Sequence, residues 1–139
     1  MLNFKDWLKN ENVGQPNFTP PSNSLRSEPG YVYHATNHNN LYEIIHSGHL
    51  DVFDPWHGTE QDEWPDGSTE PRSYWSNNIA TTQYFVPMDG KAVIIRTKFN
   101  PQIFRVETGT KDIYSTQRIP ISALEALVDN QWTPLNKIN

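Results

Sequence analysis

The spacing of apolar positions changes several times along this 139-residue chain, and each change predicts an element. Leu2, Phe4, Trp7 and Leu8 fall at helical spacing and predict a short amphipathic helix over residues 1–10. Pro16, Pro20, Pro21 and Pro29, among several Asn and Ser, mark residues 11–30 as a connector. Tyr31-Val32-Tyr33-His34 has the aromatic and β-branched content of a strand. Asn39 or Asn40 is placed to cap a helix through Leu41, Ile44 and Ile45, which Gly48 ends in a left-handed conformation. Pro55, Gly58, Pro65, Gly67 and Pro71 break residues 51–72 into a long loop, a length at which loops are usually functional or disordered. Ser73 to Ser76 predicts a second strand, Ile79 to Phe85 a short helix, and Lys91 to Phe99 the clearest strand. Ile103 to Val106 and Asp112 to Thr116 add two more strands. Pro120 before an Ile-Ser-Ala-Leu-Glu-Ala-Leu run predicts a helix ending near Leu127, and Trp132 to Leu135 an edge strand. Helices early and late with strands between them define an α+β chain. It divides into an arm over residues 1–28 and one domain over residues 29–139.

Composition narrows this picture. Only 35% of residues are apolar, yet aromatics reach 12% with five Trp, which argues against disorder throughout. The longest aliphatic run, Ala92 to Ile95, is far short of the ~20 residues that cross a membrane, so no membrane contact is expected. No basic segment followed by an apolar stretch opens the sequence. The absence of Cys excludes disulfides, thiolate nucleophiles and Cys-ligated zinc, and fits a cytoplasmic protein. The net charge is −5, but residues 51–70 hold seven acidic side chains and no Lys or Arg, so the remainder carries +2. That balance excludes a generic basic nucleic-acid binder while leaving room for a local basic face.

Candidate chemistry begins with exclusions. All five His lie between His34 and His57, but Gly48 interrupts the helix that would align His46 with His49, so no metal site is expected. No Gly-rich phosphate loop and no nucleophile elbow is present. The acidic loop with Trp56 and Trp64 reads equally as a solvated flap or as a lid over a site.

Three segments carry more information together than singly. They are Tyr33-His34-Ala35-Thr36 followed by Glu43-Ile-Ile-His-Ser-Gly-His-Leu50, then Tyr74-Trp75-Ser76, then Asp112 seven residues before Ile119-Pro120. Over residues 29–128 their order and spacing resemble the ADP-ribosyltransferase superfamily in its small bacterial and phage-type forms. The resemblance implies a split, mixed or antiparallel β-core with short peripheral helices. It implies NAD as substrate and mono-ADP-ribosyl transfer to a macromolecule, protein or nucleic acid, as in a toxin or phage effector. His34, with Thr36 as helper, and Ser76 would position NAD. Tyr74 or Tyr84 would flank the nicotinamide. Asp112 would stabilise the oxocarbenium ion, with Glu107 in reserve. Arg96 and Arg118 would receive the pyrophosphate.

The sequence also departs from the family pattern. Asp112 stands where the family carries Glu, and Thr110 stands where arginine-modifying members carry a second Glu. A first-motif His combined with Tyr-x-Ser fits neither main subgroup. These departures keep open a second reading, a catalytically inactive module on the same fold that binds a nucleotide or a protein partner. A monomer is expected by default, since the charge pattern offers no dimer seam.

Overall fold

The computed structural model describes residues 16–55, 63–85 and 91–138. The helix expected over residues 1–10 lies outside them, as do Trp56 and His57.

Four strands form the main sheet in the order β1 (Tyr31–Asn37), β4 (Ala92–Lys98), β8 (Glu125–Val128), β9 (Gln131–Pro134). Three form a second sheet in the order β3 (Ser73–Trp75), β6 (Ile113–Ser115), β5 (Phe104–Val106). A two-stranded ribbon pairs β2 (His49–Leu50) with β7 (Ile119–Pro120). Each of these pairings is antiparallel, and the fold class is α+β.

β4 is central because its sequence allows it to be. Val93, Ile94 and Ile95 are all fully buried, the signature of a strand covered on both faces. It pairs along its whole length with β1, with Tyr33 opposite Arg96 and Asn37 opposite Ala92. Leu41 and Ile44 of helix α1 (His38–Ser47) enter the same core as Val32, Val93 and Ile95.

The start of α1 differs from expectation. Asn37, still extended at the end of β1, is the cap, and its side-chain oxygen accepts from the Asn40 N–H at 2.8 Å. Asn39 and Asn40 therefore lie inside the helix. The far end is as expected: Gly48 has φ +89 and its N–H donates to the Ile44 carbonyl at 2.9 Å.

The late helix is the larger correction. Ile119–Pro120 is strand β7, residues Ile121–Ala123 make one 3-10 turn, and Glu125–Val128 is strand β8. Seven residues are too few to hold a helix without tertiary support. The edge of β4 offers pairing instead, Ile95 with Ala126 and Arg96 with Glu125. Asp129 (φ +50) and Asn130 (φ +61) then form the left-handed two-residue turn of a hairpin leading into β9. The helix expected at Ile79 is likewise a 3-10 helix, Ile79–Tyr84, capped by Asn78. Part of the connector joins the sheet: Phe18 is buried and bridged to Val128, and the Thr19 N–H donates to the Leu127 carbonyl at 3.0 Å.

Candidate functional site

The two larger sheets share one apolar core, where Val32 and Val93 join Trp75 and Phe104, and a backbone bridge links them at Tyr33 and Ser76. Tyr33 N–H donates to Ser76 O at 2.7 Å, and Ser76 N–H donates to Tyr33 O at 2.9 Å. Beside it lies a cleft of about 920 Å3, a size that admits a dinucleotide. His34, Tyr74, Ser76, Tyr84, Glu107 and Asp112 all line it, although they come from three distant segments of sequence. Thr36 is not among them; it is buried in β1 opposite Val93.

His34 is half-buried at the middle of β1, the edge strand of its sheet. Its Nδ1 lies 2.7 Å from the Tyr74 carbonyl oxygen, which can only accept, so Nδ1 carries the proton. Desolvation holds the imidazole below its ordinary pKa of 6.5, against the smaller opposing effect of that hydrogen bond. Neutral His34 thus keeps Nε2 as a hydrogen-bond acceptor at the cleft, and its ring packs 5.1 Å from Trp75.

Ser76 is engaged locally. Its hydroxyl lies 2.7 Å from Thr81 Oγ1 and accepts from the Asn78 N–H at 3.0 Å, which shapes the turn into the 3-10 helix. Tyr84 and Phe85, at the end of that helix, stand exposed on the rim.

The two carboxylates differ sharply. Glu107 is 1% exposed, and both its oxygens are taken. Oε2 accepts from Arg72 Nη1 at 2.8 Å and from the Tyr74 hydroxyl; Oε1 accepts from the Thr110 hydroxyl. Burial, first, and the Glu107 carboxylate, second, push the Tyr74 phenol well above its usual pKa. Asp112, by contrast, is exposed on the cleft. The hairpin between β5 and β6 fixes the difference. Glu107 N–H donates to Asp112 O at 2.7 Å and Lys111 N–H donates to Glu107 O at 2.9 Å, so Glu107 turns inward and Asp112 outward. Closing this loop puts Gly109 at φ +97 and Lys111 at φ +63. A left-handed Lys costs roughly 1–2 kcal/mol relative to an ordinary backbone.

Arg72 is the residue the sequence reading passed over. It is 2% exposed and lies 3.8 Å above the Tyr114 ring, with Trp64 and Tyr74 on its other sides. Besides Glu107 it pairs with Asp66 at 3.2 Å, tying the end of the acidic loop to the cleft wall. Trp64 meets Tyr74 edge-on at 5.1 Å and its indole N–H donates to the Glu70 carbonyl at 2.8 Å. Trp64 and Pro65 therefore line the cleft from a segment anchored by Arg72 and Asp66. The available signal was Arg72 itself, the first basic residue after seven acids and two positions before the Tyr-x-Ser motif.

Arg96 and Arg118 do not line the cleft, which corrects their expected role. Arg96 is stacked between Tyr31 at 3.9 Å and Trp132 at 4.3 Å and pairs with Glu125 and Glu28. Arg118 pairs with Asp51 at 3.1 Å on the surface. Among the described residues no group of three His, Asp or Glu is placed to hold a metal ion. None of the helices among them is long and apolar enough to cross a membrane.

Comparison with family models, with curated proteins and with solved structures returns no match.

Proposed function

We propose that the cleft binds NAD and transfers its ADP-ribosyl group to a macromolecular acceptor, on a domain of the ADP-ribosyltransferase type. The observation that carries this reading is the convergence of His34, Tyr74, Ser76 and Asp112 on one cleft beside the bridge that links two sheets. In this chemistry the bond from ribose C1′ to the nicotinamide nitrogen breaks. Nicotinamide leaves with the bonding pair as a neutral molecule, and the acceptor adds to C1′ and releases one proton.

Each residue then has a physical task. His34 Nε2 accepts a hydrogen bond from a ribose hydroxyl. The Tyr74 ring, its hydroxyl held by Glu107, offers a flat wall to the nicotinamide. Asp112, the exposed carboxylate, faces the positive charge that develops on the ribose. Glu107 anchors the wall rather than reacting, because Arg72, Tyr74 and Thr110 already occupy it.

That same occupation of Glu107 favours a second reading, a nucleotide-binding module without turnover. Nicotinamide release from NAD separates the two. The transferase reading expects release by the wild type and a loss of about 100-fold or more in Asp112→Asn. Binding without release selects the module, and neither binding nor release overturns both.

A further inference from the structure

We infer that Lys111 is the contact for a diphosphate group, so that the cleft selects nucleoside diphosphates and their esters over uncharged nucleosides. The inference rests on the same cleft as the function proposed above, but it does not require turnover.

The first argument is charge accounting. Arg72 lies behind the wall and is committed to Glu107 and Asp66. Arg96 and Arg118 are paired elsewhere. Among the described residues that line the cleft, Lys111 is the one basic side chain besides the neutral His34. Its ammonium forms no ion pair there, although Asp112 is its neighbour in sequence and Glu107 lies at the other end of the hairpin. A cleft whose anchored carboxylate is already neutralised by Arg72 therefore presents one uncommitted cation, Lys111, beside one exposed carboxylate, Asp112.

The second argument is backbone geometry. Lys111 sits at φ +63, a conformation that favours Gly, Asn or Asp, and the same loop already uses Gly109 at φ +97. The hydrogen bonds from Lys111 N–H to Glu107 O and from Glu107 N–H to Asp112 O hold this conformation. A strained residue held by its surroundings at a cleft is where function and backbone preference part. The uncommitted ammonium is what the side chain adds there that a glycine would not.

A diphosphate matches the rest of the cleft. The volume of about 920 Å3 exceeds what one ring system needs, and aromatic side chains line it at Trp64 and Tyr74 on the wall and at Tyr84 and Phe85 on the rim. Planar rings at such surfaces, joined through a doubly charged linker, would place their negative charge where Lys111 can reach it.

Lys111→Gly tests this, because it removes the ammonium while relaxing the backbone. Calorimetry with ADP-ribose should show affinity lowered about tenfold or more in Lys111→Gly, as for loss of one charge-assisted contact. The melting temperature should not fall, and Lys111→Arg should bind within a few-fold of the wild type. Raising the salt concentration should weaken wild-type binding more than that of Lys111→Gly. Equal affinity in wild type and Lys111→Gly would overturn the inference, as would a wild type that binds no ADP-ribose. Lys111-dependent binding without nicotinamide release from NAD would support this inference while the transferase reading failed.

Discussion

β4, at the centre of the four-stranded sheet, buries Val93, Ile94 and Ile95 among apolar neighbours, whereas the sheet across the cleft is backed by Arg72, Glu107 and Ser115. Both sets are nearly inaccessible to water, but different physics holds them. The apolar side gains from burial alone, without directional demands. The polar side gains only while every charge keeps its partner, since a buried charge that loses its partner is costly. The apolar core of the first sheet is thus tolerant of change, and its edge strand β1 carries His34. The polar cluster behind the second sheet is exacting, and it fixes the side chains of Tyr74 and Glu107 by named hydrogen bonds.

Breaking the polar side should produce the largest effect. Glu107→Ala leaves Arg72 buried without its closest carboxylate and should lose about 3–5 kcal/mol in denaturant unfolding. Arg72→Met with Glu107→Leu removes both charges and should lose clearly less than Glu107→Ala, a non-additivity expected of directly paired groups. On the apolar side, Ile95→Val should lose about 0.5–1.5 kcal/mol, with the loss unchanged by salt. Gly48→Ala probes neither wall. An added Cβ there meets nothing within 4 Å, so the expected loss of roughly 1–2 kcal/mol comes from the left-handed backbone alone.

The smallest effect is one of pH. His34 has a lowered folded pKa, so below its unfolded value near 6.5 the unfolded chain binds the proton more readily. Stability from this group is complete above about pH 6.5 and declines as pH falls through the folded pKa. Unfolding curves of wild type and His34→Gln over this range should converge toward acid, the wild type losing its advantage.

The same contrast explains what the sequence disclosed. The strands at Tyr31, Ser73 and Lys91 were legible because β-branched and aromatic residues cluster there, and Gly48 because a left-handed helix end favours glycine. The run from Ile121 to Leu127 misled because its Ala, Leu and Glu favour helix in isolation, while the open edge of β4 and the Asp129-Asn130 turn decide otherwise. Motif order singled out His34, Tyr74 and Ser76, and these three line one cleft. Arg72 could not be found this way, since a cation after an acidic loop reads as a solvated surface charge until the rings of Tyr114, Trp64 and Tyr74 close around it. The inward turn of Glu107 and the outward turn of Asp112 depend on hairpin register, which spacing alone does not set.

The most direct test of the cleft is titration of NAD into the wild-type protein and into His34→Ala by calorimetry. Binding by the wild type, weakened about tenfold or more in His34→Ala, is the result expected if Nε2 of a neutral imidazole holds the ribose. Equal NAD affinity in the two proteins, or none in the wild type, would contradict the assignment of this cleft.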